Sequence, residues 1–234
     1  MKHAVIVSHG QPSDPDQAEL ALAELAVRVA DRLSGWTIGS ATLAQPGALA
    51  GAVAASPDGW AYPLFMAGGW FTRTHLPAKL AACGAKDWRV LEPFGCDPAV
   101  HDLAVAQIRQ AAPDRVLLAA HGSFKSPVPS DIAYRLAERI TLETGVPCQA
   151  AFIDQDPQLA KATGLGPGAV CLPFFAAEGG HVTDDIPAAL AAAGFQGRLL
   201  PAIGLSADIP GIIARAIVAG NSVCVTECRW RRPV

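Results

Sequence analysis

The sequence predicts an α/β protein built from two similar lobes, each a parallel sheet flanked by helices. Short apolar or β-branched runs alternate with longer segments of helical period, which is typical of βαβ units. The strand-like runs lack the apolar–polar alternation of a sheet with one wet face, so helices should cover both faces. In addition, residues 1–112 and 113–234 are two diverged copies of one unit.

The individual elements follow from these patterns in chain order. In the first half, AVIVS (4–8) and WAYPLFM (60–66) predict strands, and residues 16–33 have the apolar spacing of an amphipathic helix. In the second half, strands are predicted at RVLLAA (115–120), CQAAFI (148–153) and AVCLPFF (169–175), with a helix over 130–143. The lobe boundary is predicted near Ala111–Asp114, where Pro113 precedes a strand.

Three segments recur in the same order in the two halves. HAVIVSHGQPSDP corresponds to RVLLAAHGSFKSP, GSATLAQPGAL to AAFIDQDPQLA, and AYPLFMAGGWFTRTHLP to CLPFFAAEGGHVTDDIP. The anchoring pairs are His9 with His121, Pro46 with Pro157, and Pro63 with Pro173. Their offset falls slowly from 112 to 110, as loss of single loop residues would produce. The prediction is therefore an N-terminal lobe, 1–112, and a C-terminal lobe, 113–234, with a cleft between them.

Composition excludes several functional classes. No run approaches the ~18 apolar residues of a membrane span, and the start MKHAVIVSHG lacks the pattern of a signal peptide, so a cytoplasmic protein without membrane contact is expected. A net charge of −3 without a basic stripe argues against nucleic acid binding. No Gly-rich nucleotide fingerprint and no Gly-x-Ser-x-Gly motif are present, which disfavours ATP, NAD and serine hydrolase chemistry.

The six cysteines show no framework spacing, which predicts reduced thiols. Cys224 and Cys228 are the only close pair, but their spacing is wider than that of zinc knuckles and redox pairs. They are interpreted as strand residues near the C-terminus, with a metal or iron–sulfur role as the weaker alternative.

Three polar residues of the second half each follow a predicted strand. His121 directly follows VLLAA, Asp154 follows QAAFI, and His181 lies beyond AVCLPFF after a Gly-Gly turn. Because ligands collect at the carboxyl ends of parallel strands, these side chains are expected to converge. GGHVTDDIP is also predicted to open a helix, with Thr183 or Asp184 as its N-cap.

The first half lacks two members of this set. His9 aligns with His121, but Leu43 aligns with Asp154 and Phe71 with His181. The polar set is therefore not needed for the fold. Imidazole and carboxylate donors suit divalent Co, Fe, Ni or Zn, and three protein ligands would leave positions open for another molecule. The alternative is a hydrogen-bonded structural trio.

Further residues are candidates for substrate contact: His9, Ser123, Lys125, Glu178 and Arg73. Glu178 lies three residues before His181 and is predicted to orient that imidazole or to accept a proton from substrate, with a solvated loop carboxylate as the alternative. Lys125 and Arg73 are placed to pair with substrate carboxylates or to face solvent. His3 and His101 are expected on the surface.

The motifs HGS, FIDxDP and LPFFxxxGGHVxxDIP together resemble the class II, ATP-independent tetrapyrrole chelatases, in the sirohydrochlorin cobalt- and ferrochelatase branch. The resemblance implies two α/β lobes around a cleft, with His121 and His181 as the catalytic, metal-binding histidines. Asp154 takes the place where related enzymes tend to have Glu. Because GGWFTRTHLP in the first half has lost its histidine, the resemblance places the site in the C-terminal lobe.

The activity that this resemblance implies is insertion of Co²⁺ or Fe²⁺, or of Ni²⁺, into sirohydrochlorin, in cobalamin or sirohaem biosynthesis. The divalent metal is a substrate, no nucleotide cofactor is needed, and a histidine or carboxylate accepts the pyrrole protons. The alternative is a non-catalytic carrier of a tetrapyrrole or a metal. A monomer or a homodimer is expected.

Overall fold

The chain forms two four-stranded, all-parallel sheets of the same topology. The computed structural model describes residues 1–226 and 228–232. The first sheet has the order β2-β1-β3-β4 and contains β1 (Lys2–Ser8), β2 (Trp36–Thr42), β3 (Asp58–Pro63) and β4 (Asp87–Val90). The second has the order β6-β5-β7-β8 and contains β5 (Val116–Ala120), β6 (Cys148–Phe152), β7 (Val170–Pro173) and β8 (Arg198–Leu199). The predicted fold class is confirmed.

Helices connect the strands, because neighbouring parallel strands cannot be joined by a tight hairpin and need a longer crossover connection. In chain order they are α1 (Pro15–Ala30), α2 (Ala48–Val53), α3 (Leu76–Ala82), α4 (Pro98–Ala111), α5 (Val128–Thr144), α6 (Ile186–Ala192) and α7 (Ile209–Ala219). Two π-helical turns, Phe71–His75 and His181–Asp185, run directly into α3 and α6. Within the described residues, no helix has the length and apolar character that crossing a bilayer requires.

The internal repeat extends to the strand register. Val7 pairs with Pro63 in the first sheet, and Ala119 pairs with Pro173 in the second. The central strand β5 is buried along its whole length, which explains its uninterrupted apolar sequence. Each sheet has its own apolar core, and the core of the second includes Leu117, Ala119 and Cys171.

The compact units of the chain do not coincide with its two sequence halves. One unit comprises Met1–Asp97 and Ala207–Cys228, and the other comprises Pro98–Ser206 and Arg229–Val234. α4, from the first half, packs on α5, whereas α7, from the second half, packs on α1. Each sequence half therefore places its last helix in the unit that contains the other half's sheet.

The segment after Cys228 packs against the second unit. The Trp230 ring lies 4.6 Å from the ring of His101, Arg231 forms an ion pair with Asp131 at 3.2 Å, and Arg232 pairs with Glu138 at 3.0 Å. His101 is only 1% exposed, so its predicted surface position is wrong. Its place on the inner face of α4, under Trp230, explains the burial.

In the part of the chain that the structure describes, the six cysteines are thiols and form no disulfide. Cys224 and Cys228 are not strand residues, contrary to the prediction, because the described residues after the isolated bridge at Ser222 lie in bends, turns or irregular structure. Cys228 instead lies beside Cys96, with their Sγ atoms 3.9 Å apart and both residues buried. The contact with Cys228 and burial together raise the pKa of Cys96, so this thiol stays protonated.

A close backbone approach recurs in both units. The N–H of Gly95 donates to the carbonyl of Phe65, and the N–H of Gly204 donates to the carbonyl of Phe175, each at 2.9 Å. A Cβ on Gly95 would overlap the backbone of Met66, and one on Gly204 would overlap that of Ala176. Only glycine permits these contacts.

We expect Gly204→Ala to lower the free energy of unfolding by about 1–3 kcal/mol, because the added methyl group must displace the backbone at Ala176. Urea unfolding followed by circular dichroism measures the change. Gly166→Ala is the matched control, since a Cβ there meets no atom within 4 Å. Equal urea midpoints for Gly204→Ala and the unsubstituted chain would show that the close approach to Ala176 does not require glycine at position 204.

Candidate metal site

The second unit brings the predicted polar residues to one edge of its sheet. β5 ends immediately before His121, β6 ends two residues before Asp154, and β7 is followed by the loop that leads to His181. The N–H of Asp154 donates to the carbonyl of His121 at 3.0 Å, so the two loops are joined by a backbone hydrogen bond. The parallel pairing of β5 with both β6 and β7 produces this convergence.

The rings of His121 and His181 are in contact. Their centroids lie 4.7 Å apart with an interplanar angle of 87°. The side chains are 44% and 45% exposed, respectively, so both are open to an incoming ion. Two imidazoles 60 residues apart in sequence therefore form one pair.

Each imidazole is held through its Nδ1 atom. Nδ1 of His121 lies 3.0 Å from the carbonyl oxygen of Gly122, and Nδ1 of His181 lies 2.7 Å from Oδ2 of Asp185. Since a carbonyl and a carboxylate only accept hydrogen bonds, Nδ1 of a neutral ring carries the proton in each case. The lone pair is then on Nε2, which is the arrangement of metal-binding histidines whose other nitrogen is fixed by an acceptor.

Asp154 lies beside His121 on the Nδ1 side of its ring, with Oδ2 3.4 Å from Nδ1. Across residues 1–226 and 228–232, the structure contains no group of three or more His, Cys, Asp or Glu side chains arranged to hold a metal ion. The two histidines are thus brought together as predicted, but the predicted three-ligand set with Asp154 is not assembled.

Asp185 is the site residue that the sequence reasoning missed. Glu178, which was predicted to orient His181, is exposed on the preceding loop. Asp185 instead accepts the hydrogen bond that Nδ1 of His181 donates. The available signal was the spacing of four between His181 and Asp185, which places two side chains on one face of a helical turn.

The helix predicted after His181 begins earlier than expected. The π-helical turn starts at His181 itself, and α6 begins at Ile186 without a side-chain cap. The predicted N-caps, Thr183 and Asp184, are therefore wrong. The π-helical turn is what brings the carboxylate of Asp185 back to the imidazole of His181.

The loop after His121 is shaped by Ser123. Its Oγ accepts hydrogen bonds from the N–H groups of Lys125 and Ser126, at 3.1 and 3.3 Å, and its own N–H donates to Oε1 of Gln155 at 2.7 Å. Gln155, from the loop after β6, was not predicted. Ser123 fixes the loop, and Lys125 is exposed on it.

The remaining predicted residues lie in the first unit. The ring of His9 packs edge-on against Phe71 at 5.1 Å, and Arg73 donates to the carbonyl of Thr226 at 2.6 Å. The structure also corrects the alignment by one residue. The N–H of Ala44 donates to the carbonyl of His9, as that of Asp154 does to His121, so Ala44 and not Leu43 is the equivalent of Asp154. This position remains apolar in the first unit.

Comparison with known proteins places the chain in a family. The CbiX family model matches residues 115–219, which include His121, Asp154 and His181. A solved structure of CbiX, described as the terminal enzyme for biosynthesis of siroheme in denitrifying bacteria, is 44% identical over 94% of this chain and 100% of that chain, with a TM-score of 0.88. The chain belongs to the CbiX family. The resemblance to the sirohydrochlorin chelatases is therefore confirmed, and the protein is a chelatase.

More distant structures share the fold of this CbiX-family chain. SirB from Bacillus subtilis with Fe³⁺ is 13% identical over 94% of this chain and 96% of its own, with a TM-score of 0.73. SirB from Bacillus subtilis subspecies spizizenii in complex with cobalt is 16% identical over 94% and 95%, with a TM-score of 0.68. A search of the curated proteins found no match.

We expect His121 and His181, when their imidazoles are neutral, to carry the proton on Nδ1, because a fixed acceptor faces that nitrogen in each ring. Nitrogen chemical shifts of ¹⁵N-labelled imidazoles measure the tautomer directly. Asp185→Ala should return His181 to a mixture of tautomers and leave His121 unchanged, since the partner of His121 is a backbone carbonyl. An unaltered His181 in that variant would show that Asp185 does not fix its ring.

Proposed function

We propose that this CbiX-family chelatase inserts Fe²⁺ into sirohydrochlorin and so forms sirohaem. The observation that carries the proposal is the contact between the rings of His121 and His181, each with its Nε2 lone pair available. The similarity to a CbiX that is the terminal enzyme of siroheme biosynthesis in denitrifying bacteria, at 44% identity, supports iron as the metal and sirohaem as the product.

His121 and His181 hold the incoming ion through Nε2. Two imidazoles fill only part of a coordination sphere, so water occupies the other positions until the ring nitrogens of the macrocycle replace it. The carboxylates of Asp154 and Asp185 lie next to the Nδ1 atoms, 3.4 and 2.7 Å away. From there they balance the charge of a divalent ion and orient the rings without coordinating it.

Insertion exchanges one divalent ion for two pyrrole protons, so the metal enters the ring and two protons leave it. Once the ion has left Nε2, each imidazole has a lone pair with which to accept a proton. The resulting imidazolium ions are stabilised by Asp154 beside His121 and by Asp185 beside His181. Charge is conserved without ATP or a redox cofactor.

The substrate carries acidic side chains around its ring, and Lys125 is the cation best placed to meet them. It is exposed on the loop that begins at His121, and Ser123 fixes its backbone. Glu178, exposed before His181, is placed to pass protons to solvent. These assignments extend the role of the two site loops to substrate binding.

Co²⁺ is the second candidate metal. Imidazole donors suit Fe²⁺, Co²⁺ and Ni²⁺ alike, so the metal supplied by the cell contributes to selection. Structures of SirB, which has a similar fold, have been determined with cobalt and with Fe³⁺. The cobalt product would lead towards cobalamin instead of sirohaem.

We expect the full chain to accelerate Fe²⁺ insertion into sirohydrochlorin without ATP, measured anaerobically from the absorbance change of the macrocycle. His121→Ala and His181→Ala should lower the rate at least ~100-fold because each removes a ligand, and Asp185→Asn should lower it about 10- to 100-fold. His3→Ala, a histidine of β1 in the first unit, is the control and should retain the full rate. A wild-type rate no higher than the uncatalysed background with Fe²⁺, Co²⁺ or Ni²⁺ would favour a tetrapyrrole or metal carrier.

The position of Asp154 predicts a weaker effect on metal affinity than either histidine. Titration with Co²⁺ alone, followed by its visible absorption, should show about tenfold weaker binding for Asp154→Ala, because a carboxylate beside Nδ1 tunes the ligand without touching the metal. His181→Ala should abolish the Co²⁺ spectrum over the same range. A loss at Asp154 as large as that at His181 would make Asp154 a direct ligand.

A further inference from the structure

The first unit carries an aromatic cluster formed by Trp70, Phe71 and His75. Trp70 directly precedes the π-helical turn of this unit, and Phe71 and His75 lie on it. Trp70 is 59% exposed and Phe71 is 36% exposed. The rings of Trp70 and His75 are stacked, with centroids 4.8 Å apart and an interplanar angle of 27°. The ring of Phe71 lies edge-on to both, at 5.1 Å from Trp70 and 5.6 Å from His75.

The position of the aromatic cluster in its unit matches that of the histidine pair in the other unit. The two π-helical turns are equivalent in topology and sequence, and the paired positions are Trp70 with Gly180, Phe71 with His181, and His75 with Asp185. Because the turn also forms with glycine, histidine and aspartate at these positions, folding does not require aromatic residues there. The exposed indole of Trp70 and the adjacent phenyl ring of Phe71 form a contiguous apolar patch, a feature that marks binding surfaces.

The aromatic cluster is suited to bind a ligand that has a flat, conjugated ring system. Aromatic faces stack on planar π-systems and contribute apolar area in a fixed geometry. His9 and Phe65 pack against Phe71, at 5.1 and 5.9 Å, and so hold the phenyl ring in place. Arg73, on the same turn, uses one N–H for the carbonyl of Thr226, and its guanidinium has further donors for a carboxylate at the edge of such a ring.

We propose that the aromatic cluster of the first unit is a stacking surface for one face of the tetrapyrrole macrocycle, with Trp70 as its principal contact. This inference rests on the proposed function, since it takes the acidic, planar substrate from there. The cluster binds the ring without coordinating a metal, so its contribution is to substrate affinity and not to the chemical step.

The test is a titration of the full chain with metal-free sirohydrochlorin, followed by the absorbance of the macrocycle. Trp70→Ala should raise the Kd about tenfold, whereas Trp70→Phe, which keeps an aromatic face, should stay within about threefold of the wild type. In the insertion assay, Trp70→Ala should raise KM for the macrocycle by a similar factor and leave kcat unchanged.

Trp36→Ala is the matched control. It removes a partly buried indole from the amino end of β2, the end of the first sheet away from the cluster, and should leave both constants unchanged. Circular dichroism of all variants verifies that they are folded. Equal macrocycle affinity for Trp70→Ala and the wild type overturns the inference, as does a loss at Trp70 that Trp36→Ala reproduces.

The remaining outcomes separate this inference from the proposed function. If the wild type binds the macrocycle through Trp70 but inserts no metal, the proposed function fails and the stacking surface stands. If insertion proceeds and Trp70→Ala changes only self-association in sedimentation velocity, the cluster contacts a second copy of the chain and the inference is wrong.

Discussion

The parallel pairing of β5 with its two neighbours is the constraint on which the candidate metal site depends. Parallel strands bring their carboxyl ends to one edge, and a central strand with no exposed residue cannot shift in register without exposing its apolar side chains. His121 follows this strand immediately, and its carbonyl accepts the N–H of Asp154. The burial energy of the second core thereby fixes the position of a histidine that is itself about half exposed.

Duplication has produced one scaffold with two different chemical surfaces. The sheets share strand order, the loops after β1 and β5 both contain a histidine, and both units have a π-helical turn after their third strand. Divergence is concentrated on that turn, where His181 and Asp185 supply donors in one unit and Phe71 and His75 supply aromatic rings in the other. Changes at these positions cost the fold little because none of the four side chains belongs to an apolar core.

The sequence predicts those features that depend on short-range apolar patterns and on strand topology. It does not predict the features that depend on how helices and turns pack. The parallel sheets and the meeting of His121 with His181 follow from apolar strands and from residues at their carboxyl ends. Asp185 was missed because a helix start was placed after His181, whereas the π-helical turn begins at it. The packing of α4 in the second unit and the burial of His101 were missed for one reason: a helical pattern that ends before Pro113 does not say which unit the helix packs in.

The small number of protein ligands that we propose for the metal, two histidines, fits a function in which the metal is transferred to another molecule. A structural site closes its coordination sphere with four protein ligands and holds its metal as part of the folding energy. A chelatase must instead release the ion to four ring nitrogens, so every additional protein ligand would add to the barrier for release. Two imidazoles whose Nδ1 atoms are fixed by Gly122 and Asp185 are oriented before the ion arrives, which saves the entropy of ordering them. A carboxylate beside each Nδ1 strengthens the hold without occupying a position on the metal, and it stabilises the protonated ring after the ion has gone.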